Sequence, residues 1–222
     1  MEAAETTKAI LTKNQLAFVN RTDAMVELLQ VHERNSLRTV RDDGLSPVIP
    51  FLDNLQGMGK SSLGANYLSE CPKHFDSSGA SPELQESLKH ARKITVKFPT
   101  GKLFNAMNQN SLQCENVIAT EFILWIKKSR DITGATNRLE ASANEAYKPS
   151  VQVIMTFIEE TGRPLFLVID EIGAAFSAKT QLGPDLHRAQ VEKDVFLRFC
   201  REVVMTWLEI PNLHILLTGR GR

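Results

Sequence analysis

The stretch FLDNLQGMGKSSL, residues 51–63, joins a short apolar run to a turn rich in glycine and then to the start of a predicted helix. Gly59, Lys60 and Ser61 occupy the last three places of the pattern G-x-x-x-x-G-K-[ST]. Asn54 stands where the first glycine of that pattern belongs. The stretch therefore raises one question, whether it binds phosphate or only turns the chain.

The chemistry of a polyphosphate favours the first interpretation. Such a ligand needs several backbone N–H groups directed inward, with a helix N-terminus behind them. Gly57, Met58 and Gly59 would supply the backbone, Lys60 would reach the terminal phosphates, and the hydroxyls of Ser61 and Ser62 follow in the helix, Ser61 as a Mg²⁺ ligand. Asn tolerates positive φ better than most residues, so Asn54 in place of glycine would strain the backbone only mildly. A helix-capping turn without a ligand remains the alternative.

Composition leaves few other classes of function. The 222 residues are 42% hydrophobic and carry no formal net charge, so nothing global indicates nucleic acid or a membrane surface. The three cysteines, Cys71, Cys114 and Cys200, are odd in number and widely spaced, which indicates a reducing, intracellular compartment. The N-terminus has early acids and no continuous apolar core, so no secretory signal is expected.

Strands alternate with helices along the chain. This order predicts an α/β fold of three layers, with a parallel sheet flanked by helices. We expect a flexible leader over 1–14, a domain over 15–222, and excursions at 73–92 and 130–148. The apolar runs that predict strands are VIPFLDN, KITVKFP, RPLFLVIDEIG and NLHILLTGRG. A helix is predicted within 18–37, with Thr22 or Asp23 as its N-cap, and further helices are predicted over 60–70, 82–92, 111–129, 149–161 and 190–209. The stretch 71–85 is polar and loop-like up to Ser81 and Pro82, which open the next helix.

Two acidic residues end the third of these strands. Asp170 and Glu171 follow an apolar run, and adjacent carboxylates are costly there unless a cation compensates. Asp170 would hold Mg²⁺, and Glu171 would act as the general base on the attacking water. Asp170 as the cap of the next helix is the alternative. At the end of the fourth strand, Thr218 or Arg220 would contact the terminal phosphate. A simple basic tail over 219–222 is the alternative.

These motifs together resemble a known family. The segments FVNR (18–21), GMGKS (57–61), LVIDEIG (167–173) and LLTGRG (216–221) are similar to the P-loop NTPase module of Crinkler-type effectors of oomycetes and fungi, and more broadly to AAA+ and STAND ATPases. Asn20 departs from the glycine usual in the first segment. The resemblance covers most of residues 15–222.

The resemblance implies ATP and Mg²⁺ as cofactors, a strand order 2-3-4-1, and a homo-oligomer or protein partner. It also implies a fifth strand and a helical lid, neither of which we expect within residues 1–222. Two functions stay open. One is a nucleotide switch, with or without weak hydrolysis; the other is a degenerate nucleotide fold that serves as an interaction scaffold. A nuclease would need a catalytic cluster of carboxylates and lysine, and residues 71–150 offer none.

Overall fold

A computed structural model describes residues 22–41, 46–52, 60–128, 149–178 and 185–219. The expected leader at 1–14 and the expected excursion at 130–148 lie outside the described residues. The helices are α1 (Thr22–Arg41), α2 (Lys60–Glu70), α3 (Phe75–Ser78), α4 (Pro82–His90), α5 (Lys102–Gln109), α6 (Ser111–Lys128), α7 (Ser150–Thr161), α8 (Ile172–Ala175), α9 (Asp185–Phe199) and α10 (Met205–Trp207). The strands are β1 (Phe51–Leu52), β2 (Arg92–Lys97), β3 (Leu165–Asp170) and β4 (Leu213–Thr218).

The four strands form one parallel sheet in the order β1-β4-β3-β2. This is the implied order 2-3-4-1 seen from the other edge, and it confirms that prediction. The two central strands are apolar along nearly their whole length because helices cover both of their faces. Pro50 precedes the two residues of β1, and its carbonyl accepts a hydrogen bond from Leu217 N at 2.9 Å.

Side chains alternate across the sheet and build a core on each face. On one face, residues such as Leu167, Ile169 and Ile215 pack against α5, α6, α7 and α9. On the other face, Phe166, Val168 and Leu216 pack against α1, α2, α3 and α4. The sheet with its two helical layers is the three-layer α/β architecture predicted from the sequence.

Three helical features differ from the expectation. Residues 71–78, expected as a loop, form a 3₁₀ turn (Cys71–His74) and α3, because Phe75 and Cys71 bury their side chains against the second core. The helix expected over 190–209 begins at Asp185 and contains a π turn (Cys200–Val204) before α10. The short helices α5 and α8 have no counterpart in the sequence prediction.

Candidate functional site

The carboxyl ends of the strands meet at one edge of the sheet, where ligands bind in folds of this class. We call this the carboxyl edge; its residues are Leu52, Lys97, Asp170 and Thr218, the last residue of each strand. Gly219 N donates to the carbonyl of Leu52 at 2.7 Å, so β1 ends beside β4. The chain leaves β1 at Leu52 and enters α2 at Lys60, and the next residue of α2 reaches β3 at this edge.

Asp170 is the centre of the site. Its Oδ1 accepts hydrogen bonds from Ser61 Oγ at 2.9 Å and from Thr218 Oγ1 at 2.6 Å. The two donors come from α2 and β4, which are 109 and 48 residues away along the chain. Ser61 is exposed and Thr218 is fully buried, so one donor faces solvent and the other fixes the carboxylate from within. Ser61, Asp170 and Thr218 are hereafter the hydroxyl–carboxylate cluster.

The alternative in which Asp170 caps the next helix is wrong. Glu171 occupies the N-cap position of α8, and no side chain makes a capping hydrogen bond there. The Asp170 carboxylate instead points to the two hydroxyls of the cluster.

Glu171 turns away from Asp170. Its backbone is left-handed, with φ 53° and ψ 39°, a conformation that costs a residue with a Cβ about 1–2 kcal/mol. Glu171 N donates to Thr218 Oγ1 at 3.2 Å, which helps to hold this turn. The side chain forms an ion pair with Lys97, with 2.6 Å between Nζ and Oε2. The two adjacent acids therefore have different partners.

Lys97 is the site residue that the sequence prediction missed. It ends β2, and the parallel register places it directly opposite Asp170. One signal could have indicated it. Lys97 stands near the end of the predicted strand KITVKFP, and the implied strand order places that strand beside the acidic strand. Its side chain is 52% exposed and that of Glu171 is 39% exposed, so solvent reaches their ion pair.

The first turns of α2 lie close to the sheet. An added Cβ on Gly64 would lie 3.0 Å from Val168 Cγ1 on β3, so glycine allows this approach. Ser62, expected beside the ligand, has its carbonyl bonded to the Asn66 amide at 2.8 Å and lies 3.4 Å from the same amide through Oγ. No acidic residue occurs in the first turn of α2, so its N-terminus has no carboxylate of its own to offset the helix dipole.

Five of the predicted site residues lie outside the described residues, and their roles stay predictions. They are Asn54, Gly57, Met58, Gly59 and Arg220. Of the predicted residues that the structure describes, it brings Ser61 and Asp170 into contact and leaves Ser62 outside the cluster.

The described residues also bear on metal clusters, reactive thiols and membrane spans. Within it, no group of three or more His, Cys, Asp or Glu side chains is placed to hold a metal ion. The three cysteines are free and buried, and burial raises the pKa of the Cys71 and Cys114 thiols to about 12. None of the described helices has the length and apolarity that crossing a membrane requires.

Comparison with known proteins adds little to this geometry. No protein-family model matches the chain, and no curated protein matches it. Among solved structures, PCH-2 of C. elegans aligns with a TM-score of 0.34 and 13% identity, over 90% of this chain and 36% of that chain. The resemblance to Crinkler-type modules therefore depends on the quoted motifs alone.

Proposed function

We propose that this chain is a nucleotide-binding module that takes ATP with Mg²⁺ at the carboxyl edge and acts as a nucleotide switch. The observation that carries the proposal is the hydroxyl–carboxylate cluster. It joins the serine of the GKS motif to the first acid of the IDE motif at 2.9 Å, although 109 residues separate them. The two motifs each predict a ligand of the same Mg²⁺ ion. Two side chains can share one ion only if they lie close together, as Ser61 and Asp170 do.

The phosphates would lie at the start of α2. Gly59, Lys60 and Ser61 lead into this helix, which has eleven residues and begins with a first turn free of acids. Free N–H groups and the positive end of the helix dipole favour an anion at such a position. The lysine ammonium adds a full positive charge.

The residues of the cluster also fit Mg²⁺. This ion prefers oxygen ligands and usually keeps several waters, so one or two protein oxygens together with substrate phosphates are enough. Ser61 and Asp170 offer a hydroxyl and a carboxylate side by side, and Thr218 holds the carboxylate in orientation. When bound, Mg²⁺ would supply charge neutralisation on the phosphates.

Glu171 is the residue that would take a proton from the attacking water. It adjoins Asp170 but faces a different partner, so its carboxylate does not compete for the same ligand. The ion pair with Lys97 occupies this carboxylate, however, at 2.6 Å. That ion pair favours a second candidate function, a module that binds nucleotide and signals without turnover, as a protein-interaction scaffold would.

The test is a titration of the full chain with fluorescent ATP, with and without Mg²⁺. We expect binding that Mg²⁺ strengthens, and a loss of about 10- to 100-fold in Lys60→Ala, since one charge-assisted phosphate contact disappears. Lys89→Ala is the matched control because Lys89 is an exposed lysine on α4, paired with Glu86. Equal affinity in wild type and Lys60→Ala would remove the phosphate-loop assignment. Phosphate release by wild type then separates the switch with hydrolysis from the scaffold.

A further inference from the structure

A second cleft lies at the other end of β4. It has a volume of about 640 Å³ and opens between the C-terminal half of α1, the helix α4, and the connection that leads into β4. Leu213 and His214, the first residues of β4, form part of its wall. Since β4 has six residues and a strand rises about 3.3 Å per residue, the cleft is roughly 20 Å from the carboxyl edge.

The polar wall of the cleft is held in place by hydrogen bonds. Glu33 Oε2 accepts from Ser81 N at 2.9 Å and from Ser81 Oγ at 3.0 Å. Ser87 Oγ lies 2.7 Å from His214 Nε2. Asn35 is bonded to the backbone of Val48 through both its amide oxygen and its amide nitrogen. A wall fixed in this way needs little ordering when a ligand binds.

The charge of the cleft has one sign. Among the described residues that line it, the carboxylates Glu33 and Glu83 carry charge, and no lysine or arginine is present. His214 does not offset them, because burial lowers its pKa to about 4 and leaves the ring neutral at neutral pH. The formal charge of the lining therefore favours a cation over an anion.

Part of the lining is apolar. Leu37 is half-buried and Pro211 is exposed, whereas Leu208, Ile210 and Leu213 also line the cleft but are buried in the first core. A ligand that suits both parts of the lining has a hydrocarbon portion for Leu37 and Pro211 and a cationic end for the carboxylates. The volume is within the range of about 300–1,000 Å³ that is usual for small-molecule pockets.

We propose that this cleft is a binding site for a small organic cation, an alkyl ammonium with a chain of several carbons. Glu33 and Glu83 would accept the ammonium hydrogen bonds, and Leu37 and Pro211 would cover part of the alkyl chain. The site does not depend on the proposed nucleotide site, since the two share no residue.

The experiment titrates the full chain with n-hexylammonium and follows binding by protein-observed NMR. We use n-hexanoate and n-hexanol as matched probes of the same length with negative and no charge. Binding of n-hexylammonium that is stronger than that of n-hexanol, with no binding of n-hexanoate, is the expected result. Binding of n-hexanoate as strong as that of n-hexylammonium, or no binding of n-hexylammonium, would overturn the proposal.

Two substitutions on one helix localise the effect. Glu83→Gln should weaken n-hexylammonium binding by about two- to fivefold, the size of an exposed charge pair. Glu86→Gln removes the same charge from α4, but Glu86 pairs with Lys89 and does not line the cleft, so it should leave affinity unchanged. Glu33→Gln is a third variant that keeps an acceptor for Ser81 and should also weaken binding. Equal losses in Glu83→Gln and Glu86→Gln would mean general charge attraction and no site.

Discussion

The two ends of the sheet treat ionisable groups in opposite ways. At the carboxyl edge, Asp170 and Glu171 are partly exposed and are held by hydroxyl groups and by an ammonium. At the amino end, His32 and His214 are buried with their ring centroids 5.6 Å apart, and burial lowers the pKa of both. The carboxyl edge thus leaves its carboxylates partly exposed to solvent, whereas the amino end holds its imidazole rings neutral within the core.

The strongest test of this contrast is at Glu171. If the carboxyl edge is a working active site, Glu171→Gln should slow phosphate release by about 10²–10⁴-fold, the usual contribution of a general base. ATP affinity should stay the same or rise, because a negative charge near the phosphates is removed. The measurement pairs nucleotide affinity with phosphate release.

Asp170→Asn is the companion variant for that test. It weakens the group proposed for Mg²⁺, so its ATP affinity should depend less on Mg²⁺ than that of wild type. Turnover in wild type that Glu171→Gln leaves unchanged would show that Glu171 is not the base. Absence of turnover in wild type, with normal ATP binding in Glu171→Gln, would establish the scaffold.

The amino end should make the fold sensitive to acid. Each of the two histidines has a pKa below its ordinary 6.5 in the folded chain, and for His214 it is about 4. The stability that this neutrality contributes is complete above pH 6.5 and is lost as pH falls towards the folded pKa. The free energy of unfolding should therefore fall by about 1.4 kcal/mol per pH unit for each histidine in that window.

Denaturant unfolding at a series of pH values measures this slope. His214→Gln, which keeps a partner for Ser87, should lower the slope by the contribution of one histidine. His187→Gln changes an exposed histidine of α9 and should leave the slope unchanged. A slope that is the same in all three proteins would contradict the contrast between the two ends.

Thr218 is a buried polar link within the carboxyl edge, and its loss should be costly. Thr218→Val keeps the shape but removes the donor to Asp170 and the acceptor for Glu171 N. We expect a loss of about 1–3 kcal/mol in the free energy of unfolding, since buried groups lose their partners. Thr120→Val is the control because its hydroxyl bonds to the Asn116 carbonyl on an exposed helix face. A cost no larger than that of the control would show that the cluster adds nothing to stability.

The smallest effect is expected at Lys97. Its ion pair with Glu171 is open to solvent, so Lys97→Met should change the free energy of unfolding by less than about 1 kcal/mol. Because the ion pair occupies the carboxylate of the proposed base, phosphate release should rise by up to about fivefold. Lys89→Met, which breaks another exposed pair on α4, should leave phosphate release unchanged. A fall in the rate would mean that Lys97 positions Glu171 for catalysis.

Much of the fold could be predicted because its signals are local. The runs around Leu167 and Ile215 are apolar on both faces, as central parallel strands are, and they form β3 and β4. Ser61 and Asp170 were expected to lie close together because two motifs predict them as ligands of one Mg²⁺ ion, and the structure shows a hydrogen bond between them. Neither inference required knowing in advance which residues that are far apart along the chain lie close together.

The remainder depends on tertiary structure. The pairing of Lys97 with Glu171 requires the register between β2 and β3 and the left-handed backbone at Glu171, and the sequence states neither. The turns over 71–78 form because Phe75 is buried against core residues that are distant along the chain, although the local sequence is polar. The cleft beside His214 is made by three segments, and no pattern in any one of them indicates it.

Gly64 has a consequence for anyone who engineers this protein. Replacing a helical glycine by alanine is a standard way to raise thermostability, worth about 1 kcal/mol in helix propensity. At this position the new methyl group would lie 3.0 Å from Val168 Cγ1 in the middle of the sheet, so either Val168 or the helix must give way. The helix carries Ser61 three residues earlier, and moving it would disturb the contact with Asp170. The gain in helix propensity is therefore opposed by overpacking against Val168, so Gly64 is a poor choice for this kind of stabilisation.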